Sequence, residues 1–109
     1  MVPVTLDPED SKIITLARAA RARNGSAEGA AVRDETGRTY SATDVALSSL
    51  RLSAVQVAVA MAVSSGAQSL EAVALVTAGD GPSPADEEVA RELGVKALLV
   101  AGPDGALRG

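Results

Sequence analysis

The chain has 109 residues, enough for one domain with one core. Its residues are 47% hydrophobic but only 1% aromatic, so that core must be built from Ala, Val, Leu and Ile around Tyr40, the single ring. Cysteine and histidine are both absent, which excludes disulfides, thiolate or imidazole metal centres and any catalytic arrangement built on a histidine base, while the net charge of −4 and the lack of stacking rings argue against nucleic acid as a partner.

The first helix is announced by Asp7 as N-cap, Pro8 at the first helical position and the acids Glu9 and Asp10 in the first turn. Residues 1–6 before it read as a tail that frays. Ile13, Leu16, Ala17 and Ala20 recur at helical spacing, and Asn24-Gly25 supplies a left-handed stop. Arg18, Arg21 and Arg23 gather near that end, where the helix dipole favours cations, and a solvated helix end explains them better than an anion site. Residues 28–33 and 38–45 follow as two strands, joined across Asp34-Glu35-Thr36-Gly37 in a hairpin.

Residues 50–65 form the second helix, with Ser48 or Ser49 as N-cap and Gly66 as its stop. Leu50, Leu52, Val55, Val57, Val59, Met61 and Val63 surround its axis, and a helix apolar on all sides needs cover on all sides. Ala54, Ala58, Ala62 and Ser65 make a ridge of small residues along it, which invites a helix from a second copy of the chain to pack closely. A homodimer or homotetramer built on that ridge is the expected assembly, with an unidentified protein as a further partner.

Residues 72–77 and 95–101 are short apolar runs of strand type. Between them Gly79-Asp80-Gly81-Pro82 forms a loop, and Ser83-Pro84-Ala85-Asp86 opens a third helix that ends at Leu93-Gly94. Gly102-Pro103-Asp104-Gly105 is a last turn, and residues 106–109 read as a second frayed tail. The order α-β-β-α-β-α-β predicts a single α/β domain over residues 1–109, with a mixed sheet of about four to five strands, helices on both faces and the later strands parallel. Residues 1–10 lack a basic stretch leading into an apolar run, and the longest apolar stretch, residues 54–63, is too short for a bilayer, so a cytoplasmic protein without a membrane partner is expected.

Other chemistry is thinly represented. A Ser-Lys pair would have to draw on Lys12 or Lys96. Glu87 and Glu88 are adjacent and so point away from one another on a helix. Asp44, Asp86 and Glu88 would be the acids of a magnesium site, without a dense acidic motif to support one. The Gly79-Asp80-Gly81 loop sits between a strand and a helix, the setting of a phosphate loop, but lacks the lysine of one, leaving a small anion at the helix start as the reading to test. Asn24-Gly25-Ser26 matches a glycosylation sequon without a secretory signal.

The stretch Gly29-Ala30-Ala31-Val32-Arg33-Asp34-Glu35-Thr36-Gly37-Arg38-Thr39-Tyr40 resembles the opening hairpin of the small zinc-dependent cytidine deaminases. Residues 53–66 are similar to that family's Cys-Ala-Glu-Arg helix, which ends in Ala-Val-Ser-Glu-Gly, and Ser83-Pro84 to the Ser-Pro that precedes its Cys-Gly-Ala-Cys. The resemblance implies the three-layer fold of those enzymes over residues 10–105, and an oligomer whose corresponding helices meet near its centre. It also implies where zinc, the proton-carrying Glu and the nucleoside would have been. Ser53 stands at the first ligand position, Val55 at the Glu, and Ala85 and Glu88 at the cysteine pair. Asp44-Val45-Ala46 replaces the ribose-binding Asn-Val-Glu-Asn. Serine is a poor zinc ligand and valine carries no proton, so the expectation is a protein without cofactor or metal and without catalysis, acting as a homo-oligomeric binding or scaffold protein. A residual nucleoside or nucleotide site around Asp44, Ser53 and Ser83 is the alternative, and a divergent hydrolase with an unfamiliar site the third.

Overall fold

A computed structural model describes residues 6–108. Its elements in chain order are α1 (Pro8–Asn24), β1 (Glu28–Asp34), β2 (Thr39–Thr43), β3 (Val45–Ala46), β4 (Arg51–Leu52), α2 (Ala54–Ser64), β5 (Leu70–Thr77), α3 (Pro84–Glu92) and β6 (Ala97–Ala101). Four strands form one sheet in the order β2-β1-β5-β6, and β3 and β4 make a separate two-stranded ribbon. β1 pairs antiparallel with β2 and with β5, whereas β5 and β6 run parallel. The mixed α/β sheet expected from the sequence is therefore present, with the ribbon added between β2 and α2.

Alternation along the strands splits the core into two layers. Ala31, Ala72, Ala74 and Val76 face α1 and pack with Ile13, Ile14 and Ala17. Ala30, Val32, Val73 and Leu75 point the other way, toward Ala54, Val55, Ala58, Val59 and Ala62 of α2, and Val89 and Leu93 of α3 pack on that same cluster. Short side chains let the layers approach closely. At Gly29 the approach is closest, because a Cβ there would stand 2.1 Å from the Ala17 carbonyl oxygen of α1.

The hairpin is organised by Asp34, whose Oδ1 accepts from the Thr36 N–H at 2.9 Å, the Thr36 hydroxyl at 2.7 Å and the Arg38 N–H at 3.0 Å. Burial alone would push the Asp34 carboxyl up, yet those three bonds and the Arg38 charge together hold it below its ordinary value. Gly37 supplies the positive φ of 89° that the turn requires. Arg33 on β1 ties the start of α1 to β5, donating to Asp10 at 3.0 Å and to Glu71 at 2.9 Å.

Two expectations for α2 need correction. The helix starts at Ala54 with Ser53 as N-cap, not at Leu50 with Ser48 or Ser49. The Ser53 side chain accepts from the Gln56 N–H and the Gln56 side chain accepts from the Ser53 N–H, a reciprocal cap that outcompetes the earlier serines. Leu50 lies in the β3–β4 turn and Leu52 in β4. Without those leucines the helix is one-sided: Ala54, Val55, Ala58, Val59 and Ala62 are buried, while Ala60, Met61 and Val63 are exposed. The ridge of Ala54, Ala58 and Ala62 is thus fully buried inside the chain, against its own sheet, and cannot serve as the surface between subunits; Ser65 caps the helix and is exposed.

The C-terminal tail also departs from expectation. Leu107 bridges Ala101 and the Arg108 N–H donates to the Val100 carbonyl at 2.7 Å, so residues 106–108 are docked on the sheet instead of frayed. Of the other expected tail, residues 1–5, like Gly109, lie outside the described residues, whereas Leu6 is half-buried against the α1 core. No helix among the described residues is long and apolar enough to cross a membrane.

Candidate functional site

Polar side chains collect where the start of β1 and the end of β5 meet the N-termini of α2 and α3. Each helix begins on a serine because a hydroxyl oxygen satisfies N–H groups that the first turn leaves free. Ser53 does this for α2 and Ser83 for α3, where the Ser83 hydroxyl accepts from the Asp86 N–H at 3.1 Å and the Ser83 N–H donates to Asp86 Oδ2 at 3.2 Å. The remaining oxygen of Asp86 accepts from the Ser53 hydroxyl at 2.5 Å. Asp86 is 1% exposed, so its carboxylate joins the starts of two helices from inside the protein.

Glu28, the first residue of β1, stands beside this pair. Burial raises its carboxyl above the ordinary value; the Ala54 backbone N–H works against that, and the charges of Asp86 and Asp44 reinforce it. The Asp44 side chain in turn accepts from the Glu28 backbone N–H at 3.1 Å. The three positions expected to line a residual pocket, Asp44, Ser53 and Ser83, are therefore gathered at one end of the sheet, linked through Glu28 and Asp86.

The positions expected to correspond to a metal centre do not supply its ligands. Ala85 and Glu88 are exposed on α3. Val55 is fully buried in the α2 core. A hydroxyl, a methyl and a solvent-facing carboxylate do not make the four nitrogen, sulfur or carboxylate ligands of a zinc centre, and no group of three or more His, Cys, Asp or Glu among the described residues is placed to hold a metal ion. The residues present do not fit the metal that the sequence resemblance implies. The magnesium set of Asp44, Asp86 and Glu88 fails with them, since Glu88 faces solvent.

The remaining sequence candidates resolve into structural roles. The Gly79 N–H is bonded to the Thr77 hydroxyl at 3.0 Å and its carbonyl accepts from Arg108, so this loop offers an anion neither a free Gly79 donor nor an uncapped helix start. Arg18 and Arg21 donate to the backbone carbonyls of Pro103 and Ala27. Lys12, Lys96, Glu87 and Glu88 are exposed. Two clefts among the described residues open elsewhere. One of about 200 Å³ lies between α1 and the C-terminal turn, beside Arg18 and Asp104. The other, of about 330 Å³, lies beside Glu35, Leu70, Leu93 and Lys96.

Sequence reasoning named Asp86 only as a helix-opening residue and a magnesium-site acid, and did not single out Glu28. Asp86 was signalled by the Ser-x-x-Asp spacing of a capping box, which accounts for its bonds to Ser83 but not for its reach to Ser53. Glu28 had one signal, a charged residue directly before an apolar strand.

A family model described as cytidine deaminase-like matches residues 6–105. Among solved structures, a cytidine deaminase from Burkholderia pseudomallei is similar, with a TM-score of 0.74 and 26% identity over 89% of this chain and 87% of that one. A cytidine deaminase from Mycobacterium tuberculosis gives a TM-score of 0.71 and 26% identity over 94% and 90% of the two chains. One from Mycobacterium leprae, at 22% identity and a TM-score of 0.71 over 94% and 93%, shares the fold. No curated protein matches the chain.

Proposed function

Because the chain belongs to the cytidine deaminase-like family, we propose that it is a member without the family's zinc-dependent chemistry, acting as a noncatalytic, self-associating binding or scaffold protein. The observation that carries this reading is the Ser53–Asp86 hydrogen bond. At the start of α2 and α3, where the resemblance would place ligands, a buried carboxylate is held by the Ser53 hydroxyl on one oxygen and the Ser83 N–H on the other. Each oxygen of that carboxylate is thus engaged in joining the two helix starts. Val55 at the proton-carrying position offers no acid or base.

Self-association has its own support in apolar side chains left at the surface. Met61 and Val63 are exposed on α2, and Leu47 and Leu50 on the turn of the β3–β4 ribbon. Light scattering at micromolar concentration reads the assembly directly: a mass of two or four chains supports it, and a single-chain mass removes it.

A second reading, a nucleoside or nucleotide binder without catalysis, is favoured by Glu28. Its half-buried carboxylate, together with Asp44, keeps this end of the domain polar. Ligands that bind only the folded state raise its melting temperature. Equilibrium dialysis against zinc tests the main reading: the expected result is far less than one zinc retained per chain, and about one tightly held zinc per chain overturns it. Thermal stabilisation by cytidine, uridine or their phosphates, with no zinc retained, selects the second reading over the first.

A further inference from the structure

The turn at residues 102–106 is tied down by backbone and side-chain hydrogen bonds. The Gly105 N–H donates to the Gly102 carbonyl at 2.8 Å, the Gly102 N–H to the Ala106 carbonyl at 3.0 Å, and Asp104 Oδ1 accepts from the Ala106 N–H at 2.9 Å. Arg18 of α1 anchors the turn from outside, its Nε donating to the Pro103 carbonyl at 3.0 Å. The chain then returns across the end of the sheet through the Leu107 bridge to Ala101. From there the Arg108 guanidinium forks to two carbonyl oxygens, that of Thr77 at 2.9 Å and that of Gly79.

Those carbonyls belong to the end of β5 and the first part of the loop into α3. The loop contains Gly79 and Gly81, the latter at φ 127°, and its residues Ala78, Gly79 and Asp80 are exposed. A segment so poor in buried apolar contacts opens easily unless something outside holds it. Among the described residues, Arg108 is the side chain from elsewhere in the chain that bonds its backbone. The loop delivers Ser83 to the start of α3, and Ser83 and Asp86 together set the contact with Ser53.

We propose that residues 102–108 are a strap, closed over the end of the sheet by the Arg108 fork, and that opening it releases the β5–α3 loop and loosens the Ser53–Asp86 end of the domain while the rest of the sheet stays intact. Arginine suits this task because its planar fork serves two neighbouring acceptors at once, which a lysine ammonium on a flexible stem does less well. The inference concerns motion at this end of the domain and is independent of whether any ligand binds there.

Native-state amide hydrogen exchange on the full chain carrying Arg108→Ala, with Arg108→Lys beside it, tests the strap. The expected result is exchange at Gly79, Ser83 and Asp86 faster by about tenfold or more in the Ala variant and by less in the Lys variant, with amides of α1 and β1 unchanged. Unchanged exchange at those three amides overturns the proposal. So does a uniform acceleration across all elements, which would make Arg108 a contributor to global stability only. Should the Ala variant not fold, the Lys variant gives the same local-against-global comparison.

Discussion

The Ser53 hydroxyl donates to Asp86 Oδ1 at 2.5 Å and so joins the first turns of α2 and α3 across 33 residues of chain. One buried carboxylate thereby caps its own helix and fastens a second. Removing either partner leaves a different deficit. Asp86→Ala takes the carboxylate away from Ser53 and from the Ser83 N–H, and is expected to cost about 2–3 kcal/mol. Ser53→Ala strands a buried carboxylate oxygen and removes the cap of α2, for about 2 kcal/mol. Urea denaturation of both single variants and the double variant reads the coupling, expected at about 1 kcal/mol or more. Strict additivity would mean the pair is not formed in solution.

Val55→Glu is expected to destabilise the fold by about 2 kcal/mol or more, because Val55 is fully buried among apolar side chains and the new carboxylate would find no partner there. A variant as stable as the parent in urea would mean that water reaches this position.

Gly29 and Gly25 separate two uses of glycine. Gly29→Ala places a methyl 2.1 Å from the Ala17 carbonyl oxygen and 2.9 Å from Arg21 Cβ, so α1 must move off β1 at a cost of about 3 kcal/mol. Gly25→Ala meets no atom within 4 Å but must adopt φ 62°, for about 1 kcal/mol. Denaturation midpoints that fall in the opposite order would contradict the close packing of α1 on β1.

The acids Glu28 and Asp34 give the pH dependence of stability opposite signs. Asp34 is held below its ordinary value of 3.8, so its contribution is present above that pH and is lost as pH falls through its lower folded value. Glu28 is raised above 4.5, so its contribution is full below that pH and is lost as pH rises through the higher folded value. Glu28→Gln should therefore raise the melting temperature at pH 7 and lose that advantage near pH 4. A lower melting temperature for the variant at pH 7 would mean that Glu28 has a cationic partner in solution.

The fold was largely legible in the sequence because its signals are local. Asp7-Pro8 starts α1, the Asp34–Gly37 turn pins the hairpin, and the short apolar runs of β5 and β6 mark strands, the first almost fully buried and the second partly so. The start of α2 was misplaced because Leu50 and Leu52 continue an apolar pattern that is read as helix, whereas the Ser53–Gln56 cap decides the boundary. The same error made the helix look apolar all round and put Ala54, Ala58 and Ala62 on an outer ridge. For the site, the sequence offered a reading of Ser53, Val55, Ala85 and Glu88 as substituted positions. The site was not legible as an arrangement, because Asp86 reaches Ser53 only when two helices separated by a strand start side by side.

The most direct test of the account is a cytidine deamination assay on the purified protein in zinc-supplemented buffer, followed by the loss of cytidine over hours. The account predicts no rate above that of buffer alone, since Ser53, Ala85 and Glu88 do not make a zinc-ligand set and Val55 carries no proton. Turnover of cytidine that a zinc chelator abolishes would contradict it.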